Sequence, residues 1–210
     1  MRVIMSSGMP AKARTRERSD GRATDARERM VRSAAVLFRE RGIDGTSFSD
    51  VLEHSGAPRG SIYHHFPGGK EQLAEEATHY AGQFIATGLA AALASDEPVA
   101  AIRDFTAAWR RILRDSDLDA GCPILAAGLE GDRSPRARDA AAAAFKSWED
   151  LCAEAFARHG VERERARSLA TLAIAAIEGG VVLARAQRSI TPLERVGDEL
   201  EALIGAAVAQ

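Results

Sequence analysis

The chain has 210 residues, 46% of them apolar, 5% aromatic and 28% charged, with a net charge of −2, enough for one small module and a body with its own core. Ala, Arg, Glu and Leu dominate, which favours helix over sheet because straight-chain residues lose little rotamer freedom in a helix. Cys122 and Cys152 are too few for a disulfide framework and have no zinc-ligand spacing around them. The first residues lack the apolar run of a signal peptide, and no window reads as a membrane span, so a soluble cytoplasmic protein is expected.

The charge is unevenly divided. Residues 1–70 hold 13 Lys/Arg against 8 Asp/Glu, and the remainder holds 15 against 22. A basic head on an acidic body suits a polyanion held at one end, although such asymmetry also arises without a partner.

Residues 1–22 are polar and Arg-rich without apolar periodicity, so a disordered arm is expected there. A solvated tail, a misassigned start and a basic arm on phosphates all fit it. A helix is expected from about Thr24 to Arg41, with Met30, Val31, Ala34, Ala35, Leu37 and Phe38 on one apolar face and Gly42 as its C′ residue. Ser47 is a good N-cap for a second helix, with Asp50 in its first turn; Phe48, Val51, Leu52 and Ser55 give that helix its inner side. It stops at Gly56. A third helix is expected to open at Pro58 and run to Phe66 before Pro67-Gly68-Gly69. Two short helices around a tight Gly-containing turn form a helix-turn-helix pattern.

Beyond it the pattern is helical nearly to the end. Segments are expected at about 70–94, 98–114, a short one after Gly121-Cys122-Pro123, and then 134–159, 162–188 and 192–208. The expected fold is all-α: an arm over 1–22, a three-helix head over 23–70, and a helical body over 71–210. No nucleophile–base arrangement, phosphate loop or metal-ligand spacing is visible, so neither an enzyme nor a cofactor is expected.

A recognition helix reads bases with its N-terminal exposed residues. Arg59 can fork onto guanine, Ser61 can bond a base edge, and Gly60 would permit close approach to the duplex; a phosphate-only role for Arg59 is the alternative. Helix starts suit phosphates, which assigns Thr46 and Lys70 to backbone contact. Ser47 is adequately explained as a cap. His65 reads either as a phosphate donor or as an ordinary surface histidine. Ile62 and Phe66, four apart, are expected to face the head's core.

The run from Gly45 to Phe66, GTSFSDVLEHSGAPRGSIYHHF, closely resembles the DNA-binding head of TetR-family repressors, as do Ala34–Phe38 before it and Lys70-Glu71-Gln72-Leu73 after it. The resemblance covers about residues 24–76. Ser55 replaces the usual Ala, Pro58 replaces a frequent Ser, and the loop Phe66–Lys70 is one residue longer than the commonest form. That loop and Gly121-Cys122-Pro123-Ile124 look like the LmrA/YxaF-like branch.

The resemblance implies a regulator of transcription, with a double-stranded DNA operator, a homodimer and a small-molecule effector as partners, and no membrane. It gives Tyr63 and His64 contacts to the DNA backbone and thymine methyls. It places the dimer interface on the last two long helices, here Leu169, Leu172, Ala173, Ala176, Gly180, Leu183, Leu193, Val196, Leu200, Leu203 and Ile204. Packing within one protomer is the alternative for these. It also implies an effector pocket among the middle helices, for which Phe105, Trp109, Ile112, Cys122, Leu125, Phe145, Trp148, Ile177 and Glu178 are candidates. Glu178 fits either an orienting group or an interface residue, and Cys122 either a redox sensor or a small buried hydrophobe. An activator and a body that binds a protein partner are the rival regulators.

Overall fold

The computed structural model describes residues 11–94 and 97–209, with side chains from Asp25 onward. Among these residues all regular structure is helical: α1 (Ala11–Arg41), α2 (Phe48–Ser55), α3 (Ser61–His65), α4 (Gly69–Leu93), α5 (Pro98–Asp115), α6 (Pro123–Gly128), a 3-10 turn η1 (Gly131–Arg133), α7 (Pro135–Arg158), α8 (Arg163–Gln187) and α9 (Thr191–Val208).

Two boundaries differ from the sequence-based expectation. Residues 1–10 of the expected arm lie outside the described residues, but from Ala11 the chain is already helical. Its Ala, Lys, Arg and Glu are strong helix formers, and extending an existing helix costs far less than nucleating one. Apolar periodicity is needed for a helix to be buried, not for it to form. The third helix is shorter than expected: Pro58, Arg59 and Gly60 make the turn before α3, closed by Ser61 N–H donating to the Pro58 carbonyl at 2.9 Å.

The head is built around α1. Met30, Ala34, Leu37 and Phe38 are buried on it, and Val51, Ile62, Phe66 and Leu73 arrive from α2, α3 and α4. Gly42 and Gly56, at φ +76° and +63°, end α1 and α2 in the left-handed conformation that glycine adopts without a Cβ penalty. Ser47 and Asp50 form a complete capping box: Ser47 N–H donates to the Asp50 carboxylate at 2.7 Å, and Asp50 N–H donates to Ser47 Oγ at 3.2 Å. Ser47 Oγ also donates to the Asp50 carboxylate at 2.6 Å, and this bond first, then the one from Ser47 N–H, holds the Asp50 carboxyl below its usual pKa.

In the body, α4 packs on α7, α7 on α8 and α8 on α9, while α5 closes over α9. Contrary to the sequence-based expectation, α8 is long and apolar enough, by length and composition, to cross a membrane. In this fold it packs between α7 and α9, with Leu169, Ala173, Ile177 and Val181 in the core. The α4–α7 seam is tight because it is lined with small residues. A Cβ on Gly82 would lie 2.8 Å from Ala144 Cβ, and Trp148 Nε1 donates to the Gly82 carbonyl at 3.2 Å.

Candidate functional site

The outer face of the head is formed by the α2–α3 turn and α3. Arg59, Gly60, Tyr63 and His64 are exposed, Tyr63 to 70%. Behind them Ile62 and Phe66 are fully buried, as their spacing implies, and they seat this short helix on the head. The Tyr63 ring stands edge-on to Phe48 with centroids 5.6 Å apart, which holds a large exposed aromatic in a defined position. Arg59 enters no ion pair among the described residues. A Cβ on Gly60 would meet only open space, so close approach from outside is sterically available there.

Three of the expected DNA contacts are modified by the structure. Thr46 is buried, and its hydroxyl donates to the Gly42 carbonyl at 2.9 Å. Its side chain therefore secures the α1–α2 loop and is not presented to phosphate. Ser61 Oγ donates to the Pro58 carbonyl at 2.7 Å, so its proton is committed within the turn and only its lone pairs face outward chemistry. His65 is half-buried between His64 and Phe66. Burial first, then the charges of His64 and Arg27, hold its imidazole below the ordinary pKa, which favours the neutral form. Lys70, in the first turn of α4, donates to the Asp44 carbonyl at 3.3 Å.

The head is tied to the body at the far end of α1. The last carbonyls of a helix lack intrahelical donors. Here Arg39 O accepts from Gly121 N–H at 2.8 Å, and Glu40 O accepts from Arg185 of α8 at 3.3 Å. A Cβ at residue 121 would fall 2.5 Å from Arg185 Nη1 and 3.1 Å from Arg39 O, so a side chain there would displace the Arg185 guanidinium and crowd the bond to α1. Arg27 of α1 also pairs with Glu76 of α4 at 2.5 Å, and its guanidinium sits 5.4 Å from the Phe66 ring centroid. Sequence reasoning did not find this clamp, because its partners lie far apart along the chain and all but the Arg185 guanidinium are backbone atoms.

Beside the clamp, a cleft of about 790 Å³ opens between α1, α4 and α5. Of the effector-pocket candidates, Phe105, Trp109 and Ile112 of α5 line it. They face Arg32, Val36 and Arg39 of α1 and Tyr80 and Phe84 of α4, none of which sequence reasoning assigned to a pocket. The Tyr80–Phe84 pair, four apart and stacked at 6.5 Å, was the available signal. Cys122, Leu125, Phe145, Trp148, Ile177 and Glu178 do not line this cleft. The closed α4–α7 seam fills the middle of the body where they were expected to surround a ligand. Phe145 packs edge-on to Trp148 at 5.4 Å, Leu125 packs against the core, and Ile177 is buried in it. Glu178 is buried facing Cys122, with Oε2 making no hydrogen bond. Burial pushes its carboxyl up to about 7, against a bond from the Cys122 thiol that lowers it. Burial likewise pushes the Cys122 thiol far above its usual pKa and that of Cys152 up to about 12, which suits inert core thiols.

Residues 31–77 match the model of the bacterial regulatory proteins of the tetR family, and residues 98–199 match the C-terminal domain of LmrA/YxaF-like transcriptional regulators. The uncharacterized HTH-type transcriptional regulator Rv0196 of Mycobacterium tuberculosis is 47% identical over 85% of this chain and 93% of its own length. The chain belongs to the TetR family. LmrA of Bacillus subtilis, an HTH-type transcriptional regulator, is 34% identical over 80% of this chain and 91% of its own. A solved TetR transcriptional regulator from Chloroflexus aurantiacus superposes with a TM-score of 0.72 at 33% identity, covering 88% of this chain and 96% of that one. The tetR-family match runs from within α1 through α2 and α3 into α4, and the LmrA/YxaF-like C-terminal domain match runs from the start of α5 into α9.

The TetR-family assignment directs attention to α8 and α9. Of the residues expected at a dimer interface, Leu169, Ala173, Gly180, Leu193, Leu200 and Ile204 are buried within the single protomer, where they hold α8, α9 and α5 together. Ala176, Val196 and Leu203 are half-buried. Leu172 and Leu183 are 47% exposed, and Val182, which sequence reasoning missed, is 46% exposed. With Ala175, Gly179 and Ala186 they form an outward stripe along α8 at helical spacing.

Proposed function

We propose that this TetR-family regulator is a cytoplasmic, non-enzymatic repressor. It binds a palindromic operator as a homodimer and is released when a small molecule occupies the α1–α4–α5 cleft. The observation that carries DNA reading is the outer face of the head, where Arg59, Tyr63 and His64 stand exposed on a short helix anchored by Ile62 and Phe66. Arg59 reads a base edge; Tyr63 and His64 hold the backbone and thymine methyls; Gly60 admits the duplex; Ser61 and His65 act as neutral hydrogen-bonding groups. Lys70 takes a phosphate from the first turn of α4, exchanging its long bond to Asp44 O for a charge-assisted one.

One head makes too few base contacts for useful selectivity, which a two-fold pair reading half-sites about one helical turn (~34 Å) apart, or a multiple of it, overcomes. The exposed apolar stripe on α8 supports that pairing, with Gly179 open to close approach. The clamp between the α1 carbonyls and Arg185 joins the head to the same helix. A ligand seated against α1 and α4 would therefore shift each head relative to the dimer axis. A coupling of about 1–3 kcal/mol, roughly 5–150-fold in operator affinity, is the usual scale for such switches.

The test is quantitative binding to DNA selected from a random pool. Arg59→Ala is expected to weaken binding and relax preference at one position of each half-site. Lys70→Ala is expected to weaken binding to all sequences and lower the salt slope by about one. If neither variant changes affinity or slope, these residues do not meet DNA.

A further inference from the structure

The walls of the α1–α4–α5 cleft are mostly apolar, with Tyr80 and Phe84 on one side and Phe105 and Trp109 on the other. Its charged groups are Arg32 and Arg39 from α1 and Asp104 from α5. Arg32 pairs with Glu28 at 3.4 Å and lies 5.8 Å from the Tyr80 ring centroid. Arg39 differs: its Nε is shielded from solvent and makes no hydrogen bond, while its main-chain oxygen is fixed by Gly121 N–H. Arg39 as a whole is half-buried on the cleft wall and enters no ion pair among the described residues, and an anionic oxygen is the acceptor that best satisfies such a guanidinium. A volume of about 790 Å³ suits a molecule of two or three rings.

We propose that this cleft binds a ring-bearing apolar molecule with a single anionic group, that Arg39 receives the anion, and that the four aromatic side chains hold the rings. Asp104 disfavours ligands with a second negative charge. The anion then sits beside the Gly121 bond to α1, so this ligand class reaches the clamp directly. Its role in release rests on the preceding reading; its chemistry does not.

Anilinonaphthalene sulfonate and phenylnaphthylamine, the same ring system without the sulfonate, test the proposal by fluorescence titration of the full chain. The sulfonate is expected to bind once per protomer and at least about tenfold more tightly than the neutral parent. Arg39→Gln is expected to lower sulfonate affinity by about tenfold and leave the parent unchanged, while Arg39→Lys retains most of the preference. Ala108→Trp, which fills the cleft, is expected to abolish both, with its melting curve checked alongside; the Arg39 pair of variants decides the matter if that protein does not fold. Equal binding of the two probes, or a sulfonate preference that survives Arg39→Gln, overturns the proposal. Selected operator DNA titrated under saturating sulfonate separates the two readings: binding as described with unchanged operator affinity removes release as the cleft's function and keeps its ligand class.

Discussion

Replacing Glu178 by Gln removes a buried ionisable group with almost no change of shape. Burial raises this carboxyl from an ordinary value of 4.5 to about 7. Below pH 4.5 both folded and unfolded chains carry the proton, and the group contributes no pH dependence. As the pH rises from there to 7, the unfolded chain releases its proton first, so the folded state is progressively destabilised; above 7 both forms are ionised and the loss is complete. Each pKa unit corresponds to about 1.4 kcal/mol, which sets the full loss at roughly 3 kcal/mol. Gln cannot ionise and still accepts from the Cys122 thiol. Guanidinium unfolding of both proteins at one fixed concentration, at intervals from pH 4.5 to 8, isolates the effect from the other titrating groups. The variant is expected to gain on the wild type steadily through this window, to about 3 kcal/mol at its alkaline end. A stability difference that does not vary with pH would refute the burial argument.

Two further variants probe the scaffold. Ser47→Ala removes the N-cap of α2 and the Asp50 bond with it, and is expected to cost about 1 kcal/mol in thermal or denaturant unfolding. Leu183→Asp places a charge in the exposed α8 stripe. It is expected to shift sedimentation from dimer to protomer while helical circular dichroism is retained, because Leu183 is not part of the protomer's core.

Much of the head was legible because its signals are local. Ser47 and Asp50 fall three apart and cap α2, Gly42 and Gly56 stop helices where only a left-handed residue fits, and Ile62 and Phe66 share one face. Thr46 was misread for an equally local reason: a hydroxyl near a helix start looks alike whether it meets phosphate or, as here, a carbonyl four residues back. The proposed dimer face was harder. Helix α8 is apolar on both its core and its outward side, so periodicity does not separate Leu169, buried in its own protomer, from Leu172, which is exposed. The cleft was hardest, since it depends on how α1 lies across α4 and α5 and on a seam closed by Gly82 against Ala144. Neither relation has a signature within a single helix.

DNA reading by a paired head is the central claim, and selection of bound duplexes from a random pool tests it most directly. The account predicts one enriched motif with two-fold symmetry, half-sites about one helical turn (~34 Å) or a multiple apart, and loss of preference at one base pair per half-site for Arg59→Ala. No enrichment over the starting pool, or an enriched motif without symmetry that Arg59→Ala leaves unchanged, would contradict it.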